Sequence, residues 1–449
     1  MTRQPIPELK SRIAQVWRLS LPAILTQITT IAMEYIDSAM VGSLGANASA
    51  AIGLVASSTW LMSGVTYAVS AGFSVQVAHE IGAGQPKEAR NVVRHGLIAA
   101  LLISGILGLF GALISGLLPV WLGGDDTIRQ DAAAYFLVFA LMLPFFQLNG
   151  LTASFLQCSG DMVTPSILNG IMCLLDVVFN MFFIPRYGVL GAGIGTGLAC
   201  CVTSLVMTWR CCVSSPQLRL HPAEKCPYQP RILKKALRIG APVAVQEIAA
   251  CGAMVVSTMI IAPLGAVAIA ANSFAITAEG LCYMPGYGVA SAATTVVGRS
   301  IGAGKGATAK QYGNICTAMG AALMGLTGLL MFLLCPLVFR ILTPDIQVQT
   351  LATEALRIGL LAEPLFGVSI VAAGALRGTG DTLVPSVLNL CSIWIVRLGL
   401  ALLLVPPLGL HGMFIAMAVE LWVRGLLLLY RQKTSRSYSL PVDTSQAEF

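Results

Sequence analysis

Several charged residues lie in stretches of the sequence that are otherwise apolar enough to cross a membrane. Two carboxylates, Glu34 and Asp37, stand three residues apart in "IAMEYIDSAMVG". Similar apolar stretches later in the chain contain Glu247, Glu279, Glu363 and Arg397. A charge inside a bilayer is costly, so such residues usually face a protein interior or an aqueous cavity and bind ions, protons or each other. These positions therefore predict ion-binding or proton-binding sites inside a membrane-spanning structure.

The composition supports this interpretation. The chain has 449 residues, of which 56% are hydrophobic and 10% charged, with a mean hydropathy of +0.80. This is more apolar surface than one soluble core can bury. The 12 Cys and 4 His residues form no pattern with metal-ligand spacing, so we expect neither a bound metal cofactor nor disulfides. The sequence predicts an all-α polytopic membrane protein.

Gly, Pro and charged residues divide the apolar sequence into twelve predicted transmembrane helices. The first six are expected within 16–41, 49–77, 95–119, 133–156, 164–184 and 190–212. The second six are expected within 238–262, 268–297, 313–338, 352–375, 384–405 and 411–430. The basic N-terminal segment continues into the first of these helices without a cleavage site, which favours a retained helix over a signal peptide.

The distribution of basic residues predicts the orientation in the membrane. Most of the 27 Lys and Arg residues fall on one side, and the other side keeps only Arg129, Arg186, Arg340 and Arg357. The positive-inside rule therefore places both termini in the cytoplasm. Because the basic residues line one membrane face without interleaved aromatics, the net charge of +7 does not indicate nucleic-acid binding.

An internal repeat relates the two halves of the chain. "LPAILTQI" and "APVAVQEI" align Pro22 with Pro242, and "CSGDMVTPSILN" and "RGTGDTLVPSVLN" align Asp161 with Asp381, both 220 residues apart. Six predicted helices separate equivalent positions, so the two halves have the same orientation, which is a transporter architecture. We expect two pseudo-symmetric six-helix lobes, at 1–213 and 237–430, joined by a cytoplasmic linker at 214–236 and followed by a cytoplasmic tail at 431–449.

Several motifs resemble the multidrug and toxic compound extrusion (MATE) family over essentially the whole chain. They are "MVGSLGANA", "GAGQPKEAR", "CSGDMVTP", "YMPGYGVASAATTVVGRSIGAGKG" and "GALRGTGDT". The resemblance implies a secondary active multidrug efflux antiporter. Such a protein exports organic cations or other amphipathic toxic compounds in exchange for H⁺ or Na⁺, by alternating access between its two lobes.

The resemblance to the DinF-like bacterial and archaeal branch implies an ion-coupling cluster in the N-lobe. Asp37 matches the acid of the first helix and Thr196 matches the threonine of the sixth. On the fifth helix, Asp176 and Asn180 stand in the reverse order to the family pattern, but residues i and i+4 share one helix face. We expect these four residues to bind a proton or a Na⁺ ion. Glu34, nearly on the same face as Asp37, is a further candidate or a structural partner.

The C-lobe charges have two interpretations. Glu247, Glu279, Glu363 and Arg397 could couple ions or bind substrate, or Arg397 could pair with Glu247 or Glu279 and only stabilise the lobe. Glu420 and Arg424 are expected to form an ordinary i, i+4 pair at the cytoplasmic end of the last helix. A weaker set of candidates for substrate contact consists of Gln27, Tyr35, Tyr67, Gln147 and Tyr283.

Other classes of protein fit the sequence less well. The "GRSIGAGKGAT" segment fails the phosphate-loop pattern, so it predicts a tight turn, and an ion gradient rather than ATP is the expected energy source. No nucleophile or metal motif of an enzyme is present in the sequence. A flippase or exporter of a lipid-linked or other endogenous metabolite remains the alternative, although its anionic cargo would favour a cationic cavity. We expect no cofactor and no obligate protein partner, a monomer, and a location in a bacterial inner membrane.

Overall fold

The computed structural model describes residues 6–221, 224 and 227–438. Its first six long helices are α1 (Ile6–Gly42), α2 (Ala46–Gly82), α3 (Pro86–Ile114), α4 (Asp126–Cys158), α5 (Val163–Tyr187) and α6 (Val189–Trp209). The next are α7 (Pro230–Ile261), α8 (Ala266–Gly302) and α9 (Gly306–Leu342). The described residues contain no β-strand. The prediction of an all-α polytopic fold is confirmed.

The last three predicted helices include two that are interrupted. The first, α10, consists of Ile346–Leu360 and Glu363–Thr379, which are bent by 55° relative to each other. The second, α11, consists of Leu383–Cys391, a π-helical turn at Ser392–Arg397, and Leu398–Leu408. The final helix, α12, spans Leu410–Thr434. By length and composition, eleven described helices can cross a membrane, or twelve if α10 counts as one span.

The sequence pattern did not predict the break in α10. Pro364 lies in the first turn of the second segment, where its missing N–H costs nothing and its ring favours the start of a helix. The preceding residues, Leu361 and Ala362, form the turn between the segments. Glu363 consequently begins a new helix instead of lying inside a continuous one.

The turns between helices repeat along the chain. In the "GAG" segments, α2 ends at Gly82 and α8 ends at Gly302, and four residues later the next helix begins. Gly84 and Gly304, 220 residues apart, have φ of 72° and 70°, a conformation that favours glycine. The tight turns predicted for these segments are therefore present at equivalent positions.

The chain divides into two compact units. Of the described residues, those up to Gln27 and from Ile248 onward form the C-terminal unit, and those from Ile28 to Glu247 form the N-terminal unit. These boundaries fall inside α1 and α7, whereas the lobe boundaries expected from the sequence fall in the linker. Those lobe boundaries stay a prediction. Within the predicted linker range, α7 already begins at Pro230.

Each unit therefore combines most of one half of the repeat with the first part of the helix that begins the other half, which is α1 in the C-terminal unit and α7 in the N-terminal unit. In the N-terminal unit, Gly72 of α2 lies against the backbone of Ala236 of α7, where an added Cβ would be 2.5 Å from the carbonyl oxygen. In the C-terminal unit, Gly288 of α8 lies against Ile24 of α1, where an added Cβ would be 2.6 Å from the backbone. Missing side chains at these positions let the two helices approach closely.

Candidate ion-coupling site

Close packing of α5 against α6 buries a polar pair in the N-terminal unit. Asp176 and Asn180, one turn apart on α5, are both 0% exposed. They face α6 where its sequence is rich in glycine, and a Cβ on Gly195 would lie 2.1 Å from Asn180 Oδ1. A Cβ on Gly191 would lie 2.3 Å from the Phe183 carbonyl oxygen. The glycines of α6 therefore create the space that the buried amide occupies.

The four residues of the predicted cluster lie together. Asn180 Nδ2 donates hydrogen bonds to Asp37 Oδ1 (2.8 Å) and to Asp176 Oδ1 (3.2 Å). Thr196 Oγ1 donates to Asp37 Oδ2 at 3.5 Å. Three helices, α1, α5 and α6, thus contribute to one site in which an amide bridges two carboxylates. The exchanged order of acid and amide on α5 still keeps both side chains in the site.

Two oxygen atoms of the cluster are buried without a donor in the described part of the chain. They are Asp176 Oδ2 and Asn180 Oδ1. A buried acceptor without a partner is unfavourable, so this arrangement is suited to receiving a proton or cation. The bridging position between the carboxylates, however, is taken by the N–H donors of Asn180, which cannot ligate Na⁺. This orientation of the amide places N–H donors, and no amide oxygen, between Asp37 and Asp176.

Tyr135 of α4 lies near the same cluster. It interacts electrostatically with Asp37, Asp176 and Glu34, and its ring is 3.4 Å from the position of a Cβ on Gly193. Tyr135 was not identifiable from the sequence, because a tyrosine in the apolar stretch "AAAYFLVFA" resembles an ordinary packing residue. Glu34 itself is exposed within the chain, and its role in coupling stays a prediction.

A second polar cluster lies in the C-terminal unit around a buried acid. Glu420 of α12 is 0% exposed. Arg397 donates to its Oε2 atom through Nε (3.1 Å) and Nη2 (2.6 Å). Arg424 forms an ion pair with Oε1 (3.0 Å), and Ser392 Oγ donates to the same oxygen (2.7 Å). Arg397 ends the π-helical turn of α11, a type of distortion that often occurs at functional sites.

This cluster corrects two expectations. Glu420 and Arg424 were expected to be an interfacial helix pair, but Glu420 is fully buried and binds two arginines. One of the two interpretations of the C-lobe charges paired Arg397 with Glu247 or Glu279, but the ion pair of Arg397 is with Glu420. The physical reason is the packing of α11 against α12, which places Arg397 beside a residue 23 positions away in sequence.

The other predicted C-lobe residues occupy three different environments. Glu247 belongs to the N-terminal unit, where its Cβ lies 2.8 Å from the position of a Cβ on Gly64. Glu279 of α8 is 5% exposed and interacts electrostatically with Arg397, Arg424 and Glu420. Glu363 is 0% exposed. Glu279 and Arg397 therefore do belong to one buried cluster, and Glu247 does not.

The candidate substrate residues are not equally accessible. Tyr35 and Tyr67 are 36% and 43% exposed, and Gln27 is half-buried. Gln147 is 1% exposed and donates from Nε2 to Ser70 Oγ (3.1 Å), so it is not on an open surface in this conformation. Tyr283 packs edge-on against Tyr287 and Phe366. A substrate role for these residues stays a prediction.

Long apolar helices in two repeated sets, with buried polar clusters inside each unit, define a polytopic membrane transporter. Residues 22–182 and 242–403 both match the family model described as MatE, and the chain belongs to this family. The two matches begin at Pro22 and Pro242, the pair that the internal repeat aligned. The family consists of transport proteins and not of enzymes.

Known proteins resemble the chain over almost its full length. The probable multidrug resistance protein NorM of Thermotoga maritima is 27% identical over 441 residues, covering 96% of this chain and 93% of the relative. A crystal structure of a mutant of the Vibrio cholerae MATE transporter VcmN has a TM-score of 0.90 at 17% identity and covers 96% of this chain and 99% of its own. An outward-facing multidrug resistance MATE family transporter of the MOP superfamily has a TM-score of 0.91 at 21% identity and covers 95% and 96%. These two likenesses show the fold.

Proposed function

We propose that this protein is a secondary active efflux antiporter that exports organic cations or amphipathic toxic compounds in exchange for protons. The class of substrate is supported by similarity to a probable multidrug resistance protein. The observation that carries the coupling mechanism is the Asn180 amide that bridges the carboxylates of Asp37 and Asp176.

Coupling requires a group that binds an ion in one state of the carrier and releases it in another. Two carboxylates that share one buried site do not favour two negative charges, so they titrate as a pair and bind one proton readily. A proton on Asp176 would use an oxygen that otherwise has no donor in the described part of the chain. Protonation would also change the contacts that hold α1, through Asp37, against α5 and α6.

Alternating access follows if substrate and proton prefer different states. A ligand shifts such an equilibrium only through a difference in its affinity for the two states. In the proposed cycle, the proton enters from outside and favours the state with low substrate affinity, and the carrier then releases the proton to the cytoplasm and binds the next substrate. The orientation with both termini in the cytoplasm, a bacterial inner-membrane location and a monomeric state are parts of this proposal.

The proposal is tested by transport of ethidium, a fluorescent organic cation, in proteoliposomes. A pH gradient without a Na⁺ gradient is expected to drive transport, and a Na⁺ gradient at equal pH is not. Asp37→Asn and Asp176→Asn are each expected to abolish gradient-driven transport. The matched control is Asp131→Asn, the same change at an exposed position of α4, which is expected to leave transport unchanged.

Two results would contradict the proposal. Transport driven by Na⁺ alone would show that the amide does not exclude this ion. Normal pH-driven transport by both Asp variants, with folding verified by size-exclusion chromatography, would remove this cluster from the coupling mechanism.

A further inference from the structure

The first turns of α7 carry a dense group of positive charges. The segment "RILKKALR", residues 231–238, contains four basic residues and no acid. The equivalent segment of the first half, 220 residues earlier, is "SRIAQVWR" and contains two basic residues. Lys234 and Lys235 correspond there to Ala14 and Gln15. The excess of positive charge is therefore a property of α7 and is not shared by both halves of the repeat.

One face of this segment is packed inside the N-terminal unit. Ile232, Ala236 and Ile239 are buried. Gln76 Nε2 of α2 donates a hydrogen bond to the Ile232 carbonyl oxygen (3.1 Å), and the Ala236 backbone lies against Gly72 of α2. These contacts fix the rotation of α7 about its own axis, and they determine which side chains of the segment point away from the unit.

The opposite face changes from charged to apolar along the helix. Lys234 and Arg238 are exposed, and the same face continues with Leu237, Ala241 and Val245, which are also exposed. Lys234 and Arg238 are separated by about 6 Å along the helix axis. The polar layer on each side of a bilayer is about 5–8 Å thick. This face is therefore suited to lie across the boundary between lipid headgroups and acyl chains.

The positive charge of the segment exceeds the negative charge next to it. Glu80 of α2 interacts electrostatically with Arg231 and Lys235. Lys234 and Arg238 have no carboxylate partner within the described part of the chain. A cluster of at least four basic residues beside a transmembrane helix is the pattern that binds anionic lipid headgroups. The two outward-facing cations are thus available to an external anion.

We propose that the start of α7 is a docking surface for an anionic phospholipid. The headgroup phosphate contacts Lys234 and Arg238, and the acyl chains lie along Leu237 and Val245. A lipid matches this surface better than free phosphate does, because the apolar part of the face continues directly from the charged part. The contact involves neither the coupling ion nor the exported compound, so it does not rest on the proposed function.

Native mass spectrometry of the full-length protein, released from detergent micelles, tests this docking. The probes are dioleoylphosphatidylglycerol, which is anionic, and dioleoylphosphatidylcholine, which has the same acyl chains and no net charge. We expect the wild type to bind phosphatidylglycerol more tightly than phosphatidylcholine. Each charge near a membrane surface changes the affinity roughly fivefold. The double variant Lys234→Gln, Arg238→Gln is therefore expected to bind the first phosphatidylglycerol roughly 25-fold more weakly, with no change for phosphatidylcholine.

Two control variants separate the charge of this surface from other effects. Lys234→Arg with Arg238→Lys keeps both charges in place and is expected to bind phosphatidylglycerol as the wild type does. Arg129→Gln with Arg340→Gln removes two charges near the start of α4 and the end of α9. This second control is also expected to keep the wild-type affinity, because it lowers the net charge without changing the surface on α7.

Three results would overturn the proposal. The first is equal affinity of the wild type for the two lipids, and the second is unchanged phosphatidylglycerol binding in the double glutamine variant. The third is loss of binding in the charge-conserving control, which would show that packing and not charge is responsible. Displacement of phosphatidylglycerol by an equal concentration of inorganic phosphate would identify a site for a free anion and would likewise contradict lipid docking.

Discussion

Gly195 offers a test of the coupling cluster that changes none of its polar residues. In Gly195→Ala, the new Cβ would lie 2.1 Å from Asn180 Oδ1 and 3.1 Å from the Asn180 backbone nitrogen. Carbon atoms do not approach an oxygen this closely, so Asn180 must rotate and α5 must move away from α6. The expected consequence is loss of the bridge between Asp37 and Asp176 in a protein that still folds.

The size of the effect follows from the two hydrogen bonds that Asn180 donates, at 2.8 Å and 3.2 Å. A hydrogen bond to a charged group contributes about 1.5–3 kcal/mol. Loss of one such bond therefore changes the equilibrium constant between the bridged and the unbridged arrangement of the cluster by roughly ten- to a hundredfold. Overpacking adds a stability cost of about 1–3 kcal/mol.

The assay compares pH-driven ethidium transport and Tm in two alanine variants. The control is Gly170→Ala, also inside a helix of the N-terminal unit, where an added Cβ would meet nothing within 4 Å. That change is expected to leave transport unchanged and to stabilise α5 by up to about 1 kcal/mol, because alanine has the higher helix propensity. Transport by Gly195→Ala at the rate of Gly170→Ala would contradict a role of the Asn180 bridge in coupling.

Two further predictions concern charges outside this cluster. Arg397→Ala is expected to lower the free energy of unfolding by about 3–5 kcal/mol, because Glu420 then loses a buried ion pair. The control is Arg129→Ala, which removes an exposed ion pair and is expected to lower the free energy of unfolding by about 0–1 kcal/mol in the same denaturation experiment. In the linker, the hydrogen bond from Arg90 holds the pKa of Glu224 below its ordinary value of 4.5. This contact therefore stabilises the linker at neutral pH, and the stabilisation is lost as the pH falls below 4.5 and Glu224 becomes protonated. Limited proteolysis of the linker is expected to accelerate at acidic pH in the wild type and at all pH values in Glu224→Gln, and equal protection in this variant would contradict the assignment.

The number of helices was predictable because the length of an apolar run and the residues that end it are local properties. The range predicted for the second helix, 49–77, lies inside the observed Ala46–Gly82. The helices extend further because polar residues at both ends continue the helical hydrogen bonding, which hydropathy does not detect. The bend in α10 was missed for a related reason, since the segments that flank Glu363 and Pro364, "IGLLA" and "LFGVSI", are equally apolar.

The candidate sites were predictable to different degrees. Asp37 was identifiable because a carboxylate in an apolar helix stands out, whereas Asp176, Asn180 and Thr196 were expected from the resemblance to the MATE family. Glu420 was misjudged because the same spacing with Arg424 is common on helix surfaces. Its burial depends on the packing of α12 against α11, and no pattern within one helix reports such a tertiary contact.

The exchanged positions of acid and amide on α5 bear directly on the choice of ion. Asn180 Oδ1 lies beside Gly195 of α6, and Asn180 Nδ2 donates hydrogen bonds to Asp37 and Asp176. In the opposite orientation, the amide oxygen would face two carboxylate oxygens and repel them. A Na⁺ ion between the carboxylates would require that reversal, whereas a proton on Asp176 Oδ2 requires no movement of the amide. Because the hydrogen bonds from Asn180 to the two carboxylates oppose the reversal, we propose the proton as the coupling ion.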